Sequence, residues 1–228
     1  GPGSGVHKTT DGGKTWRKID NGLPGGDLGR IGLAMAPSAP NVLYAIVEAS
    51  DEGKGVYRST DFGESWEKRS DHMTTSPQYY NELVVDPNDP DVVYSPDTFT
   101  HRSDDGGKTW KRVSIKNRHV DDHALWIDPA DSAHIYIGGD GGAYESWDRG
   151  ETWRHVANLP VTQFYRATPD NDEPFYNVCA GTQDNFTLCG PTRTVFTDGI
   201  TNADWWIAQF GDGFKAQIDP TDANIVYA

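Results

Sequence analysis

The chain lacks what a membrane or nucleic-acid protein needs. No apolar run approaches the ~20 residues of a membrane span. Basic residues are few: 20 Lys and Arg stand against 34 Asp and Glu, for a formal net charge of −14. That balance repels phosphate backbones and anionic lipid, so nucleic acid and membrane insertion drop out as partners. No window reads as a capped amphipathic helix. No signal peptide is recognisable, and the chain begins in the middle of a repeat, so the native start is expected upstream. Residues 1–4, GPGS, read equally as a cloning remnant or a native loop. Cysteine is scarce too. Cys179 and Cys189 lie ten apart in what reads as one loop region, where a local disulfide and two buried thiols both fit.

What is present points to strands. With 228 residues, the chain is long enough for one well-buried domain. It holds 25 Gly and 14 Pro for turns, and 8 Trp and 10 Tyr for packing, which argues for many short strands. Two patterns recur. KTTDGGKTW at 8–16, RSTDFGESW at 58–66, RSDDGGKTW at 102–110 and ESWDRGETW at 145–153 all fit S/T-x-D-x-G-x-S/T-W. Beside them runs a Pro/Asp turn whose proline (Pro37, Pro87, Pro129, Pro169, Pro220) precedes a tyrosine by seven residues each time (Tyr44, Tyr94, Tyr136, Tyr176, Tyr227). Five units of about forty to fifty residues follow.

Each unit reads as four strands, the blade of an all-β, antiparallel β-propeller. Joined head to tail, the spacing from Tyr227 to Asp11 equals that from Tyr136 to Asp148. The expected architecture is therefore a single domain, 1–228, of five blades. The N- and C-terminal strands share one blade, 214–228 plus 5–24, and the others cover 27–72, 77–116, 119–160 and 161–210. An excerpt of a larger or double propeller is the competing reading.

In the repeated turn, Asp accepts bonds from its own turn and Gly takes a positive φ. Asp11, Asp61, Asp105 and Asp148 are expected to brace turns. Trp16, Trp66, Trp110 and Trp153 are expected to plug the space between sheets, each burying ~200 Å². A catalytic residue is rarely needed four times, so this face is scaffold.

These turns resemble the Asp-box, or BNR, repeat of sialidases, xyloglucanases, sortilin-type receptors and bacterial proteins labelled as glycosyl hydrolases. The stretches GRIGLAMAPSAPNVLYAIVE, HVDDHALWIDP, GGDGGAYESWDRGETW, TQDN and GITNADWW are similar to the last group across nearly the whole chain. The resemblance implies a propeller fold and, more loosely, carbohydrate chemistry.

Function should then lie on the opposite face, where loops vary. Six to eight residues before each shared proline stand Arg30, Tyr79, Tyr80, Asn81, Asp121, Asp122, His123, Val161, Gln163, Asp212 and Phe214. Nearby loops add Asp51, Asp97, His101, Asp140, Asp184 and Asn185. Asp140 and Asp212 both occur in Gly-Asp-Gly, where backbone can approach a ligand closely. Arg30, Tyr79, Tyr80, Asn81, Asp122, His123, Gln163, Asn185 and Phe214 are the expected ligand contacts. Glycoside hydrolysis needs two carboxyl groups, ~5–5.5 Å apart for retention or ~6.5–9.5 Å for inversion. Asp121, Asp122, Asp140, Asp184 and Asp212 are the candidates. His119, Asp121 and His123, at i, i+2, i+4, would share one face of an extended strand and could hold a divalent cation.

The expected function is a secreted or periplasmic propeller that binds, and in one form hydrolyses, an oligosaccharide or polysaccharide. A sortilin-like module binding a protein or peptide, and a metal-dependent hydrolase on His-x-Asp-x-His, are the alternatives. No cofactor beyond that cation is implied.

Overall fold

The computed structural model describes every residue except 2, 51, 158, 160 and 161, so Asp51 and Val161 lie outside the described residues. Apart from a 3-10 turn at Asn202–Asp204, every regular element described is a β-strand. No described helix is long and apolar enough to cross a membrane. The chain forms two compact units, Gly1–Ala157 and Asn158–Ala228.

The first unit opens with the pair β1 (His7–Lys8) and β2 (Arg17–Lys18). Three antiparallel four-stranded sheets follow, each in plain up-and-down order. The first is β3 (Ile31–Met35), β4 (Leu43–Val47), β5 (Gly55–Ser59) and β6 (Glu67–Ser70). The second is β7 (Val84–Val85), β8 (Val93–Ser95), β9 (His101–Ser103) and β10 (Lys111–Arg112). The third is β11 (Asp122–Asp128), β12 (Asp131–Gly139), β13 (Gly142–Ser146) and β14 (Arg154–His155). The second unit holds a sheet of β15 (Arg166–Pro169), β16 (Asn177–Gly181), β17 (Thr187–Pro191) and β18 (Trp206–Gln209). It ends with the pair β19 (Gln217–Asp219) and β20 (Asp222–Tyr227). Four-stranded antiparallel sheets are thus present as the repeat predicts.

Alternation along β4 explains how sheets stack. Side chains point to opposite faces at each step. Tyr44 and Ile46 pack toward Leu83, Val85 and Val93 of the next sheet. Ala45 and Val47 pack the other way, against Val6, Ile19 and Trp66. The second interface repeats the scheme, with Tyr94 against Ile127, Ile135 and Ile137. Polar staples cross the same seams. The Tyr44 hydroxyl donates to the Pro90 carbonyl at 2.7 Å. Gly32 lets the first two sheets touch: a Cβ there would stand 2.1 Å from the Asn81 carbonyl oxygen.

The repeated turn closes identically four times. In each, the leading hydroxyl (Thr9, Ser59, Ser103, Ser146) donates to the Asp at 2.7–2.8 Å. That Asp also accepts the backbone amide and the hydroxyl of the residue four later, at 2.9 Å and 2.6–2.7 Å. Two successive residues take positive φ, including non-glycine Phe62 and Arg149, which the glycine-based reading did not anticipate. The bonds from Thr15 and Ser65 lower Asp11 and Asp61 to about 2, and those from Thr109 and Ser103 bring Asp105 there against its partial burial. A carboxyl depressed from ~3.9 stabilises the fold fully above pH ~4 and loses that contribution as pH falls through 2. Asp105→Asn should therefore lower Tm at pH 6, with a clearly smaller difference at pH 2.

Two expectations change. Trp66 and Trp153 are buried plugs and Trp110 is half-buried, but Trp16 is 62% exposed. Each buried Trp packs onto the sheet that precedes it, and within its unit Trp16 has none. The cysteines are not in one loop: Cys179 on β16 and Cys189 on β17 are directly opposed and joined as a disulfide.

Candidate functional site

The connections at the strand ends away from the Asp turns bring five of the expected residues together in the first unit. The Tyr80 hydroxyl donates to Asp121 at 2.9 Å. His123 Nε2 donates to Asp140 at 2.8 Å. One carboxylate oxygen of Asp121 and one of Asp140 lie within 4.8 Å of each other. Three rings wall the pair: Tyr80 stacks on His123 at 5.5 Å, and Tyr79 meets both edge-on at 5.0 and 5.5 Å. Tyr79 and His123 are exposed, whereas Asp121 and Asp140 are half-buried. Burial first, and then the Asp121 bond, raise the Tyr80 phenol above its ordinary range, so it stays a donor.

Local structure explains the aim of these groups. Asp121 takes a left-handed φ of 66° just before β11 begins. Its amide donates to the Thr98 carbonyl, and its own carbonyl receives the Asp140 amide at 3.2 Å. Beneath it, Asp122 is 2% exposed and paired with Arg118 at 2.6 and 2.9 Å. Thr100 donates to the same carboxylate at 2.6 Å. Beside the cluster, Arg30 donates to the Tyr79 carbonyl at 2.7 Å and pairs with Glu82 at 3.2 Å. Arg30, Asn81 and Glu82 line a polar cavity of about 270 Å³. Glu82 escaped the sequence reading; its only signal was a charge opposite to Arg30 on the neighbouring blade.

Other expected residues have different surroundings. Asn81 is fully buried and donates to the carbonyls of Arg30 and Ile46, at 2.8 and 3.2 Å, so its amide braces two sheets. The Asp122 carboxylate faces Arg118 and Thr100. The His119, Asp121, His123 triad does not form. The left-handed turn at Asp121 breaks the strand alternation, and His119 Nδ1 bonds the Val120 carbonyl at 2.7 Å. Among the described residues, no group of three clustered metal-ligating atoms includes His119. The Gly-Asp-Gly glycines serve the protein itself: a Cβ at Gly141 would stand 2.2 Å from His119, and one at Gly213 2.4 Å from Thr187.

In the second unit, the Asp184 amide donates to Asp212 at 3.0 Å. Tyr165 donates to Gln183 at 2.7 Å and its ring lies 4.9 Å from that of Phe214. Asn185 donates to the Gln183 carbonyl at 3.2 Å, and Gln163 is exposed.

The BNR/Asp-box repeat family matches residues 57–68 and 101–112. No curated protein matches the sequence. Among solved structures, the GH74 xyloglucanase from Xanthomonas campestris is 20% identical with a TM-score of 0.53, over 99% of this chain and 38% of that one. An ancestral GH74 enzyme is 15% identical with a TM-score of 0.52, over 98% and 31%. A GH74 enzyme from Niastella koreensis is 20% identical with a TM-score of 0.47, over 86% and 33%. The chain thus spans about a third of the length of these structures. At such identities the likeness speaks for the fold alone. Two Asp boxes match the family by sequence, and the turns at Asp11 and Asp148 close with the same bonds. The chain carries BNR/Asp-box repeats, on β-sheets similar to those of the xyloglucanase-like propellers.

Proposed function

We propose that the chain is a carbohydrate-binding propeller whose ligand lies against Tyr79, Tyr80, Asp121, His123 and Asp140. The observation that carries this reading is the pairing of two carboxylates within 4.8 Å beside an exposed aromatic wall. Ring faces suit the apolar side of a sugar, and carboxylates accept strong bonds from its hydroxyls. A pair of carboxyl groups is also what glycoside hydrolysis requires, so hydrolysis enters the proposal as the activity to be tested. Secretion to an oxidising compartment belongs to this proposal and is supported by the Cys179–Cys189 disulfide.

Titration of the chain with a panel of neutral oligosaccharides, followed by NMR, tests the reading. Saturable binding is expected, weakened about tenfold or more by Tyr79→Ala and by Asp140→Ala, since one lost stacking or charge-assisted contact is worth about 1.4 kcal/mol. Release of reducing ends, abolished in Asp121→Asn, would mark hydrolysis. Absence of binding across the panel, with the fold intact, would sink the proposal.

A further inference from the structure

Residues 71–83, between β6 and β7, carry Tyr79 and Tyr80 and form a strap over the second sheet. Its tip is tied to the site by the Tyr80–Asp121 bond and by Arg30 at the Tyr79 carbonyl. Its middle is tied to Asp97, which accepts the Thr75 amide at 2.8 Å and hydroxyl at 2.6 Å. Its base is the ring of His72. That ring stacks on Trp110, the Asp-box tryptophan, at 4.1 Å and 14°. The ring of His101, first residue of β9, stands edge-on 5.2 Å away.

Two ring nitrogens at this base, His72 Nε2 and His101 Nδ1, are buried and have no hydrogen-bond partner. Buried polar groups in native proteins are nearly always paired, so two orphans in one contact call for a role. Burial of the base disfavours charged rings; against it stand only Asp97 and the Phe99 backbone carbonyl, both acting on His101. Arg112 lies directly across the ladder from His101, with its guanidinium over Phe99 at 3.3 Å, and adds positive charge. Asp97 is the nearby carboxylate, but its oxygens already accept three donors from Thr75 and Thr98. On the strap itself Asp71 is paired with Lys68 at 2.6 Å, and from β6 Arg69 donates to the Gly106 carbonyl.

From this geometry we infer that the His72–His101 pair is an acid-sensitive latch: protonation releases the strap and withdraws the tyrosine wall from the site. Burial, reinforced by His101, lowers His72 to about 4, and burial lowers His101 too. An opened strap returns His72 toward its ordinary ~6.5, so the open form binds one more proton in between. Opening is then favoured by up to about tenfold per pH unit as pH falls from ~6.5 to about 4. The consequence for a sugar ligand rests on the proposed function; the latch itself does not.

Hydrogen exchange on the intact chain, corrected for intrinsic rates, reads the latch without any ligand. Residues 72–80 should lose at least tenfold protection between pH 6.5 and 4.5, while β4 and β5 keep theirs. His72→Phe keeps the ring stack on Trp110 but cannot titrate, and should hold protection constant. His101→Leu, a second variant, should make the dependence shallower without abolishing it, since burial still holds His72 down. A pH-independent strap in the wild type overturns the inference. So does a His72→Phe strap that opens in parallel with the wild type. Oligosaccharide affinity measured over the same range separates the two readings: loss of protection without any sugar binding at either pH leaves the latch standing and removes the proposed ligand.

Discussion

Replacing Arg118 by methionine is expected to lower unfolding stability by about 3–5 kcal/mol, the cost of leaving a buried charge without its partner. The Arg118 side chain is fully buried and that of Asp122 is 2% exposed. The guanidinium also donates to the carbonyls of Ser114 and His119 and lies 5.0 Å from the Trp153 ring centroid. All of these are lost together. Urea unfolding should show the loss, and Arg118→Met with Asp122→Leu should recover much of it, because no unpaired carboxylate then remains. A single variant as stable as wild type would mean that Asp122 finds water or another donor. Since Asp122 lies between Asp121 and His123, the single variant should also weaken sugar binding while its fold persists.

Removing the disulfide should cost the second unit about 2–3 kcal/mol by the chain-entropy account for a loop of this length. The cross-link spans ten residues, and both cysteines are at most 2% exposed. Cys179→Val with Cys189→Val preserves apolar burial, so its deficit reports mainly the lost constraint. Trp205 provides a local probe, because its ring lies against Gly190, next to Cys189. Its fluorescence transition should move to lower urea in the variant, and in the wild type under reductant. The transition of the first unit should stay in place. If both move together, the two units unfold as one and the loss belongs to the whole chain.

How much of the site was legible follows from the range of its contacts. Alignment on the shared proline placed Tyr79, Tyr80, Asp121 and His123 at one end of the strands, where they cluster, because repeat position predicts which end of a strand a residue occupies. The same alignment brought in Asn81 and Asp122, which occupy the right end of the fold but point into protein. Alternation assigned Asp121 to the same face as His119 and His123, and failed at one backbone angle. A left-handed residue reverses the local direction, and an aspartate carries little sign in advance that it will adopt one. His72 and Glu82 were passed over because neither belongs to a recurring motif: Glu82 sits beside the aligned Asn81, but its charge is not repeated in the other units.

The sequence by itself determined the strand plan and the four Asp-box turns. The Asp-box turn is closed by bonds between residues at most four apart, so its geometry is written locally and recurs wherever the motif does. Only the tertiary structure decided which carboxylates meet. Tyr80 reaches Asp121 across 41 positions, and His123 reaches Asp140 across 17. Those contacts depend on how the end of one sheet packs beside the next. That packing follows from buried Tyr44, Ile46, Tyr94 and Ile135, whose alternation sets the stacking of sheets but is silent about the loops carried above them.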